Sequence, residues 1–227
     1  MKGTTIFTFL CYFGVLVAVP VTNNKGDTDL VNYMLQTFSN ITANDVSTLP
    51  ANATENGLAE GCRPFTMIFA KGTGEGGNVG DGSSPGPALI KEMRKSLGAE
   101  NIAVQGIDFF VGGDIEGSER YLNVTNDAAN RCPDTKIIIG GYSQGAQLTH
   151  NAAKKFSPAT MSKVVAAAVF GDPDYLQPIG NMNNASIFSV CHSGDIICHS
   201  PGFNITAHLT YSVDTPQAAS FIMSKLK

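Results

Sequence analysis

Three glycine-bounded clusters carry side chains able to do chemistry. Gly72-Thr-Gly-Glu-Gly-Gly77 matches G-x-G-x-x-G, a loop that can cradle a pyrophosphate. Gly82-Ser-Ser84-Pro-Gly86 and Gly141-Tyr-Ser143-Gln-Gly145 both match G-x-S-x-G, the pattern of a nucleophilic serine on a sharp turn. Their surroundings separate them. A dinucleotide loop must run directly into a helix whose N-terminus meets the pyrophosphate, and here the next helical pattern waits until about residue 87. A nucleophile turn needs a strand before it and a helix after it. Ser84 follows a glycine-rich loop, whereas Ser143 has the apolar run Ile137–Ile139 before it and a helical pattern after it. Ser143 is therefore the expected nucleophile.

Serine chemistry needs a base, an acid to orient it and donors for the oxyanion. In strand–turn–helix sites the chain order is Ser, acid, His. His150 lies about two turns along the helix that follows Ser143, too far for its ring to fold back, and reads as a surface or groove histidine. His192 precedes the leading acid, and His199 follows that acid by only four residues. His208, thirteen residues past Asp195, can sit on a separate loop and is the expected base. Of Asp172, Asp174, Asp195 and Asp214, Asp195 leads because a short cysteine-bounded loop would hold it rigidly. Asp172, in the turn Gly171-Asp-Pro173, is the reserve. The backbone N–H of Gln144 is the expected first oxyanion donor. Thr73, in the loop Lys71–Glu75, is the second, with its N–H and its hydroxyl.

Alternating strands and helices must position these groups. Phe65–Ala70, Ile102–Phe110, Lys136–Gly140, Val164–Phe170 and Ser186–Cys191 read as strands. Ala88–Leu97 (opened by Pro87), a segment within Glu116–Asn130, Gln144–Phe156 and Pro216 to about Leu226 read as helices. Such alternation predicts a parallel sheet covered on both faces, an α/β sandwich. Leu30–Phe38 carries one weak helical pattern inside a polar stretch, residues 21–60, read as an N-terminal extension or propeptide.

The rest of the composition bounds the setting. The 227 residues are 43% hydrophobic and carry a net charge of −4 without a block of like charges, so no nucleic-acid partner is expected. Lys2 followed by the apolar run Ile6–Val19 has the layout of a secretory signal peptide over residues 1–20. The run falls short of the roughly twenty residues that span a bilayer, so no stable membrane insertion is expected. Outside that segment four cysteines remain, Cys62, Cys132, Cys191 and Cys198, an even number that reads as two disulfides in a secreted chain. Three pairings are possible. Local closure of Cys191 with Cys198 is the simplest, and Cys62 would then join Cys132. Neither C-x-x-C nor H-E-x-x-H occurs, so no metal is expected. Glycosylation sequons begin at Asn40, Asn52, Asn123, Asn184 and Asn204, each an expected surface position.

From about Cys62 onward the chain resembles the cutinase family of secreted serine esterases. Four segments carry the resemblance: Lys-Gly-Thr-Gly-Glu (71–75), Gly-Gly-Tyr-Ser-Gln-Gly (140–145), Cys-His-Ser-Gly-Asp-Ile-Ile-Cys (191–198) and His-Leu-Thr-Tyr (208–211). The middle two are the specific ones. The resemblance implies a three-layer α/β-hydrolase sandwich on a five-stranded parallel sheet over residues 61–227. It implies a Ser143–His208–Asp195 triad with Thr73 and Gln144 as the oxyanion hole, and it supports both disulfide pairings. The family often has Arg where Lys71 stands and Ser where Thr73 stands.

The expected protein is thus a monomeric, secreted ester hydrolase working through an acyl-enzyme without cofactor. Its expected substrate is plant cutin or another polymer surface, with acetylxylan as the alternative. A catalytically idle wall-binding or eliciting protein is the alternative of another class.

Overall fold

A computed structural model describes residues 6–12, 15–21, 52–199 and 204–226. The chain divides into two units, Met1–Leu49 and Pro50–Lys227. In the first, Ile6–Tyr12 and Val15–Val21 pair as antiparallel strands, from Ile6 opposite Val21 to Tyr12 opposite Val15. This is the stretch expected to be a signal peptide. The pattern at Leu30–Phe38 and the sequon at Asn40 lie outside the described residues. Among those residues, no helix is long and apolar enough to cross a membrane.

The second unit holds five strands: β1 Phe65–Ala70, β2 Ile102–Gly106, β3 Lys136–Tyr142, β4 Val164–Phe170 and β5 Ile187–Val190. All pair in parallel, in the spatial order β2-β1-β3-β4-β5. Six α-helical segments connect or follow them: α1 Pro85–Leu97, α2 Asp114–Arg131, α3 Gln144–Ala153, α4 Pro158–Met161, α5 Ile205–His208 and α6 Thr215–Lys225.

The three layers follow from the period of two along each strand. Met67 and Phe69 of β1, Ile138 of β3, and Ala166, Ala168 and Phe170 of β4 bury one face of the sheet, together with Leu89 and Met93 of α1 and Ala218 and Ile222 of α6. Their neighbours Ile68, Ala70, Ile137, Ile139, Ala167 and Val169 bury the other face with Tyr121 and Ala128 of α2 and Leu148 and Ala152 of α3. Near-continuous apolar strands are thus required, because each must serve two cores.

Element boundaries shift where tertiary contacts override local pattern. The second strand ends at Gly106 rather than Phe110, and Phe110 is exposed. The first helix starts at Pro85, with Ser84 as its N-cap residue. The compact unit also begins before residue 61. Ala53 bridges Gly80, Asn56 bridges Gln105, and Leu58 is buried against the α2–α3 side of the sheet. The Arg94 guanidinium, on α1, grips the Glu55 carboxylate with two bonds of 2.6 and 2.8 Å.

Both disulfides have the expected pairing. Cys62–Cys132 ties the segment before β1 to the C-terminal end of α2, and Cys191–Cys198 closes the loop after β5. Asn52, Asn123, Asn184 and Asn204 are all exposed.

Candidate active site

Ser143 sits where β3 turns sharply into α3, with φ 54° and ψ −122°, backbone angles that an L-residue rarely adopts. Glycines make the turn possible. A Cβ on Gly145 would lie 2.1 Å from the Ala70 carbonyl oxygen, and one on Gly141 would lie 2.2 Å from the Gly145 carbonyl oxygen. The turn is held to the sheet by the Ser143 N–H, which donates to Phe170 O at 3.0 Å. Strain at one residue is thus carried by two tightly packed strands.

The Ser143 hydroxyl faces Nε2 of His208 at 2.9 Å, and Nδ1 of that ring donates to Oδ2 of Asp195 at 2.8 Å. Ser143, Asp195 and His208, picked from three separate segments, therefore meet in hydrogen-bonding sequence. Asp195 is fully buried. Burial pushes its carboxyl up, but hydrogen bonds from His208, Tyr211 and the Ile197 N–H outweigh that and hold it below the usual value. The Ile197 N–H reaches Oδ1 at 2.7 Å, and the Tyr211 hydroxyl reaches Oδ2 at 2.5 Å. Tyr142, beside Ser143, donates its hydroxyl to the His208 carbonyl at 2.7 Å.

Thr73 and Gln144, the expected oxyanion donors, share a network of their own. The Thr73 hydroxyl donates to Gln144 Oε1 at 2.9 Å, and Gln144 Nε2 donates to Asp114 Oδ1 at 2.6 Å. The carboxylate can only accept, so it sets the orientation of the Gln144 amide. With its hydroxyl proton directed at Gln144, Thr73 has its N–H left to offer an oxyanion. Behind it, Glu75 Oε2 accepts the Gly72 N–H at 2.6 Å. Burial pushes the Glu75 carboxyl up to about 7. Lys71 anchors the same loop by donating to the carbonyls of Glu75 (2.5 Å) and Gly77 (2.7 Å), a job that needs no ion pair.

The rival residues are engaged elsewhere. Ser84 donates its hydroxyl to the Asp81 carbonyl at 2.9 Å. The loop at Gly72–Gly77 leads into no helix until Pro85. His150 is not the surface or groove histidine expected: it is 1% exposed and pairs with the equally buried Asp172 at 2.8 Å. That pairing occupies the reserve acid. His199 is exposed. His192 pairs with Asp214 at 2.7 Å. Sequence reasoning gave no role to Tyr211, Tyr142, Asp114 or Glu75. The one available signal was the spacing His208-x-x-Tyr211.

Comparison with known proteins shows the family. A family model described as Cutinase matches residues 61–226. A cutinase of Blumeria hordei is 47% identical over 234 residues, covering 98% of this chain and 99% of that protein. A solved cutinase from Trichoderma reesei, in complex with a phosphonate inhibitor, superposes with a TM-score of 0.70 at 33% identity, covering 90% of this chain and 93% of that one. The catalytic core domain of an acetyl xylan esterase from Trichoderma reesei shares the fold, with a TM-score of 0.61 at 20% identity over 73% of this chain and 100% of that one. With a match of this extent, the chain belongs to the cutinase family, whose members are carboxylic ester hydrolases.

Proposed function

We propose that this chain is a secreted esterase that cleaves aliphatic polyester of the cutin type through an acyl-enzyme on Ser143. The hydrogen-bonded sequence Ser143–His208–Asp195 carries the reading. Ser143 Oγ attacks the ester carbonyl while His208 Nε2 takes its proton. Asp195 keeps the ring in the tautomer with Nδ1 protonated and stabilises the imidazolium. The Gln144 and Thr73 N–H groups receive the developing oxyanion, each such donor supplying about 3 kcal/mol. His208 then returns the proton to the departing alcohol, and water repeats the cycle on the acyl-enzyme.

The surroundings of these residues favour an aliphatic substrate over acetylxylan. Leu209 directly follows His208 and is 52% exposed. Val213 lies one turn further on and is also exposed. Ile115, next to the Asp114 that holds Gln144, and Phe110, whose carbonyl accepts the Gly113 N–H, are also exposed. Such apolar side chains contact an alkyl chain better than a sugar polymer. Residues 1–20 act in this reading as the export signal, the chain works as a monomer, and glycans occupy exposed sequons.

A hydrolysis panel tests the proposal: p-nitrophenyl acetate, butyrate and longer esters beside cutin and acetylxylan, with a serine-reactive phosphonate as label. Labelling at Ser143 with release of cutin monomers is expected. Acetate release from acetylxylan without cutin hydrolysis would move the substrate to the polysaccharide. Absence of both labelling and turnover would leave the idle-protein reading.

A further inference from the structure

The acid and the base of the triad sit on different segments. Asp195 lies in the disulfide loop after β5, and His208 ends the single turn of α5. So short a helix has little packing of its own to set the height of its last residue. One side chain spans from the first segment to the second. His192, near the start of the acid's loop, places Nδ1 2.9 Å from the Ala207 carbonyl and 3.2 Å from Thr210 Oγ1. Its Nε2 lies 2.7 Å from Asp214 Oδ2. Its ring stacks on Tyr211, with centroids 4.1 Å apart at 25°. Its backbone N–H donates to the Tyr211 hydroxyl at 2.9 Å, and that hydroxyl donates to Asp195. His192 therefore engages residues 207, 210, 211 and 214, a helical spacing that brackets His208.

We propose that His192 is a positioning residue that clamps the base-carrying segment onto the acid-carrying loop. The Ala207 contact matters most, because that carbonyl belongs to the peptide bond leading into His208. It is also a helix-end carbonyl, whose N–H partner within the helix is missing. The Asn204 N–H to Gly194 carbonyl bond, 2.9 Å, ties the two segments on the N-terminal side of α5. His192 supplies the tie on the other side. Without it, the segment keeps the Asn204–Gly194 bond, the Tyr142 hydroxyl on the His208 carbonyl and the Tyr211 hydroxyl on Asp195, but the Ala207 side of α5 loses its tie to the acid's loop, and the 2.8 Å contact between His208 and Asp195 loosens. The clamp acts on the orientation of His208 toward Asp195, so the loss should fall on kcat.

The inference rests on the Ser143–His208–Asp195 reading, and the test separates the two. His192→Ala, His192→Asn, His192→Gln and Ser143→Ala are compared on p-nitrophenyl butyrate. Active concentration is set by phosphonate titration for every variant that reacts. Asn carries an amide N–H to the Nδ1 position and keeps the Ala207 contact. Gln carries it to the Nε2 position and keeps only the Asp214 contact. His192→Ala should lower kcat per titrated site about tenfold or more with KM within about twofold, the size of losing a hydrogen bond to a charged group. His192→Asn should restore most of kcat, and His192→Gln should not. Full kcat in His192→Ala beside a dead Ser143→Ala would overturn the clamp and spare the triad. Activity in Ser143→Ala would overturn the triad itself. If His192→Ala does not fold, the Asn and Gln variants decide, and equal kcat in these two overturns the proposal.

Discussion

Glu75→Gln should remove a pH-dependent burden on stability that the oxyanion loop carries. The Glu75 carboxyl is held among Gly72, Gly80 and Ser84, and burial raises it from the ordinary 4.5 to about 7. A raised acid is one whose folded state prefers the proton. Below about 4.5 both states are protonated and the group is neutral to stability. Between about 4.5 and about 7 the unfolded chain releases its proton while the folded chain keeps it, so stability falls as pH rises. Above about 7 the loss is complete. At about 1.4 kcal/mol per pH unit it amounts to about 3 kcal/mol. Gln retains an oxygen to accept the Gly72 N–H and carries no charge. Urea unfolding of both proteins at pH 4.5, 6, 7 and 8.5 isolates the effect, since all other titrating groups cancel in the difference. The variant should gain about 3 kcal/mol on wild type between the first and last pH. Parallel stability curves would show that Glu75 ionises as readily in the fold as in water. A variant that loses ground as pH rises would mean a carboxylate the fold prefers charged, reversing the electrostatics assigned to this loop.

Other consequences follow from single contacts. Tyr211→Phe removes the hydroxyl that donates to Asp195. It should lower kcat about tenfold with the protein still folded, and a kcat unchanged in steady-state assays would remove that bond from the mechanism. Gly171→Ala would set a Cβ 2.8 Å from the His208 ring, at φ +52°, so kcat should drop with little change in the rate at which substrate analogues bind. A crystal structure of this variant with His208 in place would contradict that expectation. The two disulfides should separate in effect. Chain entropy gives about 2.5 kcal/mol for the Cys191–Cys198 loop and about 4 for Cys62–Cys132. Replacing the first pair by serine should mainly depress kcat, by releasing Asp195. Replacing the second should mainly depress Tm, and the opposite ranking in both measurements would make the short loop a structural staple only.

What could be read from the chain alone depends on how local its cause is. The Ser143 turn was legible because strand, glycines and helix lie within about twenty residues and each is required by the sterics of one bend. The Cys191–Cys198 closure and the alternation of strands and helices were legible for the same reason, and Cys62–Cys132 followed as the remaining pair. Burial of His150 was not, because the loop that covers it, from Asp172 to Pro178, comes from beyond the next strand. The packing of residues 52–60 onto the sheet was not legible for a related reason. Its attachment combines backbone bridges at Ala53 and Asn56, which leave no mark on composition, with the Arg94–Glu55 pair and the buried Leu58, whose partners lie far along the chain. Tyr211 and Asp114 serve other side chains rather than substrate, so their residue types announce nothing until the partners are adjacent.

The same chemical pair, a histidine on an aspartate, occurs three times among the described residues: His208–Asp195, His150–Asp172 and His192–Asp214. The far nitrogen of each ring separates them. In His150 that nitrogen faces the Pro178 carbonyl at 3.1 Å, and in His192 the Ala207 carbonyl at 2.9 Å. A carbonyl oxygen can only accept, so in both rings that nitrogen is placed to donate to the backbone rather than to take a proton from a neighbour. In His208 the far nitrogen faces a hydroxyl, which can donate. Moving a base elsewhere in this fold would therefore require removing a carbonyl, not adding an acid. Two of the three pairs hold segments together. The third is placed for acid–base chemistry because the tight turn at Ser143 presents a hydroxyl to the His208 nitrogen that faces away from Asp195.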